Sequence, residues 1–185
     1  MSLFSYLFHS SPSEDDADLI LYAPVNGHLV PLSEVPDVVI SEHVVGEGVA
    51  FIPESDTILA PCDGTVSRLL ATHHAFSIRD PHNLEIYVSF GIGAMDLGGE
   101  GMQALVNVGD PVKKGDPILH IDLARVASKV KSTATSLIVV RSSGPIDKVT
   151  AATGNAKAGT TPCLWVRLQH EEESAPATQN EESDL

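Results

Sequence analysis

The chain has 185 residues, enough for one domain with a hydrophobic core of its own and tails. Its 25 acidic and 11 basic residues leave a formal net charge of -14, which argues against nonspecific binding to nucleic-acid backbones. The two cysteines, Cys62 and Cys163, are too few for a disulfide framework and stand in no metal-type spacing, so they read as small apolar core residues.

Residues 1–18 are predicted to form an extension. Within it, Leu3, Phe4, Leu7 and Phe8 fall at helical spacing, which predicts a weak amphipathic helix. Residues 1–9 carry no Lys or Arg to hold anionic lipid, so any membrane contact is expected to be peripheral at most. No apolar run is long enough to span a bilayer, and the start lacks the basic segment and cleavage site of a secretory signal. The expected location is the cytoplasm. The acids Glu14, Asp15, Asp16 and Asp18 precede the first strand and read as solvated chain.

Residues 19–168 are dense in short β-type runs. In chain order they are Leu19–Tyr22, Thr57–Ala60, Thr65–Leu69, Ala75–Ile78, Leu84–Phe90 and Leu164–Leu168. Several alternate apolar and polar residues with period two, as half-buried strands do. The turn pairs Asn26-Gly27, Asp63-Gly64, Gly109-Asp110 and Gly115-Asp116 punctuate them. Such spacing predicts an all-β fold, an antiparallel sandwich or barrel of many short strands. One or two helical turns are expected near Leu123–Ser128. The run Ala23-Pro24-Val25-Asn26-Gly27 is echoed by Ala60-Pro61-Cys62-Asp63-Gly64, each a strand ended by proline and returned by a glycine turn. Residues 169–185 are rich in Glu and Ser without apolar periodicity and read as an acidic disordered tail.

Several strings, read in order, carry a resemblance. They are Val35-Pro36-Asp37-Val38-Val39, Val45-Gly46-Glu47-Gly48-Val49-Ala50, Ala60-Pro61-Cys62-Asp63-Gly64-Thr65-Val66, and Thr72-His73-His74-Ala75-Phe76-Ser77-Ile78. Val88-Ser89-Phe90-Gly91-Ile92, Gly99-Glu100-Gly101, Val112-Lys113-Lys114-Gly115-Asp116 and Lys131-Ser132-Thr133 complete them. Together they resemble the glucose-type IIA (EIIA) proteins of the bacterial phosphoenolpyruvate-dependent sugar phosphotransferase system.

The resemblance implies an antiparallel β-sandwich with a shallow apolar face. It implies a phosphoryl carrier that takes its group from the phosphocarrier HPr and passes it to the IIB domain of a sugar permease. It also implies regulation by binding to permeases and other proteins. His74 matches the supporting histidine of the family, and Thr72 matches the threonine that orients it. Position 89 matches the phosphoacceptor histidine, but the residue is Ser89. A neutral imidazole is nucleophilic near pH 7 and its N–P bond stays reactive, whereas a hydroxyl needs a base to attack and yields a stable ester. The family string also continues Gly-Ile-Asp where this chain has Gly91-Ile92-Gly93. Two departures at one site lead to the expectation of an impaired phosphoryl relay.

Val38, Val39, Ile40, Val44, Val45, Phe76 and Tyr87 match the apolar rim that binds partners. His73 is expected at the surface, because adjacent strand residues point to opposite faces. Some family members bind zinc between the two histidines and a partner carboxylate. With Ser89, only His74 remains, so neither a metal nor a cofactor is expected. Two alternatives remain: a working carrier that uses His74 or Ser89, and a relative of biotinyl or lipoyl carriers or of LytM-type peptidases built on a similar doubled motif. The chain lacks the hairpin lysine motif of the carriers and the His-x-His pair of the peptidases.

Overall fold

The computed structural model describes residues 16–170. The helix expected near the N-terminus lies outside these residues, as does nearly all of the tail expected from 169 onward. The described chain forms fourteen strands and two short helices. The strands are β1 (Leu19–Tyr22), β2 (Gly27–Val30), β3 (Gly46–Pro53), β4 (Thr57–Leu59), β5 (Gly64–Leu69), β6 (Ala75–Arg79) and β7 (Glu85–Ile92). They continue as β8 (Met102–Ala104), β9 (Pro111–Val112), β10 (Pro117–Ile121), β11 (Ser132–Val140), β12 (Ile146–Ala151), β13 (Gly154–Ala156) and β14 (Pro162–Leu168). The helices are α1 (Val38–Ser41) and α2 (Leu123–Val126). The second falls inside the expected helical segment. The first lies in a valine-rich run whose helical character is set by its cap: the Asp37 carboxylate accepts from the backbone N–H groups of Val39 and Ile40 at 2.9 and 3.1 Å.

An eight-stranded antiparallel sheet, ordered β13-β2-β3-β11-β7-β6-β5-β9, forms one layer. Two three-stranded sheets, β1-β14-β12 and β4-β10-β8, supply the rest. The main core lies between them. Leu21, Ile58, Ile118, Leu119, Leu164 and Val166 of the smaller sheets pack in one cluster with Phe51, Phe76, Ile78, Val88, Phe90 and Leu137 of the large one. Phe51, Phe76 and Phe90 are essentially fully buried, each a contribution of roughly 2–3 kcal/mol from apolar burial. This is the antiparallel β-sandwich the strand pattern predicts.

The sequence echo has a structural counterpart. The two proline turns interlock: the Tyr22 N–H donates to the Pro61 carbonyl at 2.9 Å, and the Leu59 N–H donates to the Pro24 carbonyl at 2.7 Å. The Gly159 N–H donates to the Ala23 carbonyl, and the Gly115 N–H donates to the Ala60 carbonyl. Asn26 Oδ1 accepts from the Ala158 N–H at 2.8 Å, and Asp63 Oδ1 accepts from the Lys114 N–H at 2.8 Å. Each of these three bonds of one copy recurs in the other with the positions exchanged. The large sheet repeats this twofold relation, since β2 is flanked by β3 and β13 while β5 is flanked by β6 and β9. The central pair, β7 and β11, lies between the halves.

Candidate functional site

Alternation along the strands gives the large sheet a second, outward face. Core residues Phe76 and Ile78 of β6 and Val88 and Phe90 of β7 point inward. Ala75, Ser77, Tyr87 and Ser89 therefore point outward. The register places Ala75 opposite Ser89 and Ser77 opposite Tyr87 across β6 and β7, and Ser136 opposite Ser89 across β7 and β11. A small apolar cluster covers part of this face: Leu32, Val35, Ala50, Ala134 and Ile138, with Ile40, Val45, Tyr87 and Ile92 packed against it. The segment leading into α1 thus sits over the centre of the sheet beside Ser89.

Ser89 is 7% exposed and His74 6%. His74 lies in the turn before β6, and its carbonyl accepts from the Phe90 N–H at 2.7 Å, which ties it to the residue after Ser89. Thr72 Oγ1 and His74 Nδ1 are joined by a 2.7 Å hydrogen bond. This bond fixes the ring and leaves Nε2 as its other polar atom, free as a base or carrying the proton according to which partner donates to Nδ1. Burial lowers the His74 pKa, which favours the neutral ring near pH 7. Tyr87 is pushed the other way: burial raises its phenol pKa, and a hydrogen bond with Ser89 opposes that rise. The site therefore gathers an oriented neutral imidazole, a recessed hydroxyl and a protonated phenol. Ser136, fully buried beside Ser89, has a hydroxyl with no hydrogen-bond partner among the described residues.

Two expectations are corrected by this geometry. Phe76 belongs to the interior, with no exposed surface, because strand alternation turns it away from the outward face. His73 and His74 do not alternate as strand neighbours. Both precede β6, and His73 adopts a left-handed backbone at φ 52, where it is half-buried rather than exposed. The remaining rim residues fall as an exposed group: Val38 is 75%, Val39 50% and Val44 64% exposed, while Ile40, Val45 and Tyr87 are half-buried beneath them. Met95, 61% exposed in the 3-10 turn after β7, escaped the sequence reading. Its signal was a large apolar residue in the short run Ala94-Met95-Asp96-Leu97 set between Gly93 and Gly98. Gly93 has φ 84, so the backbone there suits glycine, and an aspartate would accept it only with strain.

The residues do not fit a zinc ion. Among the described residues no three of His, Cys, Asp and Glu converge, and His74 presents a single free ring nitrogen. The cysteines are equally inert. Both are buried, and desolvation pushes the Cys62 thiol up to about 12 and raises Cys163 further still.

The antiparallel β-sandwich sets the class of fold, and the comparisons specify the family. A family model described as phosphoenolpyruvate-dependent sugar phosphotransferase system, EIIA 1, matches residues 19–144. The chain belongs to that family. The glucose-specific EIIA component of Haemophilus influenzae is 38% identical over 90% of this chain and 99% of its own length. That of Buchnera aphidicola is 38% identical over 87% of this chain and 96% of its own. The structure of the glucose permease IIA from Mycoplasma capricolum superposes with a TM-score of 0.73 at 30% identity, covering 79% of this chain and 94% of that one.

Proposed function

We propose that this chain is a glucose-type EIIA protein that regulates sugar uptake by binding partner proteins in the cytoplasm and has lost the phosphoryl relay. The observation that carries the reading is Ser89, set beneath the rim where the family resemblance places the acceptor histidine. A phosphoryl group on Ser89 Oγ would form an ester too stable to pass onward to a IIB cysteine. His74 offers a poor substitute, because it is 6% exposed and its Nδ1 is bonded to Thr72. HPr would have to reach into the sheet surface to meet it. The exposed valines 38, 39 and 44 supply what binding requires, an apolar patch beside the altered site. HPr, IIB domains and sugar permeases are the partners this reading assigns.

The test is incubation with phosphoenolpyruvate, enzyme I and HPr. The expected result is no acid-labile phosphate on the native chain and its appearance in Ser89→His, either alone or with Gly93→Asp. Acid-labile label on His74 of the native chain would sink the proposal, and base-labile ester on Ser89 would make it a phosphate acceptor without relay.

A further inference from the structure

A cleft of about 650 Å^3 opens on the outward face of the large sheet, next to Tyr87. Its size lies in the range of small-molecule sites, roughly 300–1,000 Å^3. The sheet register builds its floor as one transverse row: Arg68 of β5 stands opposite Ser77 of β6, which stands opposite Tyr87 of β7. A bulge between Val66 and Arg68 breaks the alternation of β5 and turns both Ser67 and Arg68 toward the cleft. Ser142 completes the wall from the turn after β11.

The polar groups of this cleft are donors short of acceptors. Each of the other four arginines pairs with a carboxylate: Arg79 with Glu85, Arg125 with Glu100, Arg141 with Glu47 and Arg167 with Asp147. Arg68 forms no ion pair or hydrogen bond among the described residues, although the chain has more than twice as many acids as bases. Ser77 is 5% exposed and its hydroxyl has no hydrogen-bond partner among the described residues, yet it lines the cleft. Glu85 is the cleft's one carboxylate, and it is taken up by Arg79 and by the Ser67 hydroxyl. With Arg79 and Glu85 paired, the lining is left with one unpaired guanidinium, that of Arg68, a local positive excess on an acidic molecule.

We propose that this cleft is a binding site for a phosphate-class dianion, held by Arg68 and by the hydroxyls of Ser77 and Ser142. A planar guanidinium matches two oxygens of a tetrahedral anion, and hydroxyl donors meet the others. The cleft exceeds what a bare phosphate fills, so the free anion and a phosphate monoester are the two sources of the same chemistry. The cleft borders the Ser89 site at Tyr87 but takes no part of its binding from Ser89, so binding there does not depend on whether the chain relays phosphate.

The experiment is an NMR titration of the full chain with inorganic phosphate and with a hexose 6-phosphate, against sodium chloride at equal ionic strength. The expected result is saturable shifts at Arg68, Ser77, Tyr87 and Ser142, with Kd in about the millimolar range. Arg68 is exposed, so Arg68→Ala should keep the fold and weaken binding at least about tenfold; Ser77→Ala should weaken it about threefold. A tighter Kd for the ester identifies the monoester as the ligand, and an equal or weaker one identifies the free anion. No saturation by either probe, shifts reproduced by chloride, or an Arg68→Ala Kd within about twofold of the native one overturns the proposal.

Discussion

His74 enters the folded state almost without solvent, and that burial lowers its pKa. The unfolded chain, with an ordinary histidine pKa of about 6.5, then binds the proton that the folded chain refuses. Stability from this group is present above that pH and is lost as pH falls below it. Urea midpoints from pH 8 to 5 should therefore drop more in the native chain than in His74→Gln. Phe76 and Val39 make a second contrast at this scale. Phe76→Ala should cost about 3–5 kcal/mol, whereas Val39→Ala should stay within about 0.5 kcal/mol, both read by denaturant unfolding. The two residues share one family resemblance, yet one builds the interior and the other lies on the surface. Sequence strings name positions; only the strand's facing decides what each side chain touches.

β3 and β11 lie so close that Gly48 admits no side chain: a Cβ there would stand 2.0 Å from the Leu137 carbonyl oxygen. Gly48→Ala should force the strands apart and cost about 3 kcal/mol or more, measured as a lowered urea midpoint. At this scale the sequence was most readable where alternation and turn chemistry agreed. Leu19–Tyr22 was predicted residue for residue as β1, and the runs at 65–69, 75–78, 84–90 and 164–168 fall within one or two residues of β5, β6, β7 and β14. α1 was not readable, since three of its four residues are β-branched and it owes its form to the Asp37 cap and the sheet beneath it. The bulge in β5 was equally hidden. Nothing in Val66-Ser67-Arg68 announces that two successive side chains share a face, and so the cleft lined by Arg68 could not be foreseen.

The whole molecule was legible in its class and in its doubling, because the echo of two proline turns is written in neighbouring residue types. The interlock between the copies was not legible, because it consists of backbone hydrogen bonds between segments far apart in sequence. The candidate site was legible as His74, Thr72 and Ser89, but its apolar cover, its orphaned Ser136 hydroxyl and Met95 arise only when distant strands meet. Closure is as nonlocal as the interlock: among the described residues β1 pairs only with β14, and β14 also holds β12. A chain cut before Pro162 loses that central strand, and it should show no cooperative unfolding transition by circular dichroism. The same pairing bears on synthesis. A ribosome delivers β1 before β14, so among the described residues the strand lacks its ladder partner until Leu164, Trp165 and Val166 have left the exit tunnel. The nascent chain must carry β1 without β14 until that strand is made, so folding of this domain is completed only after β14 emerges.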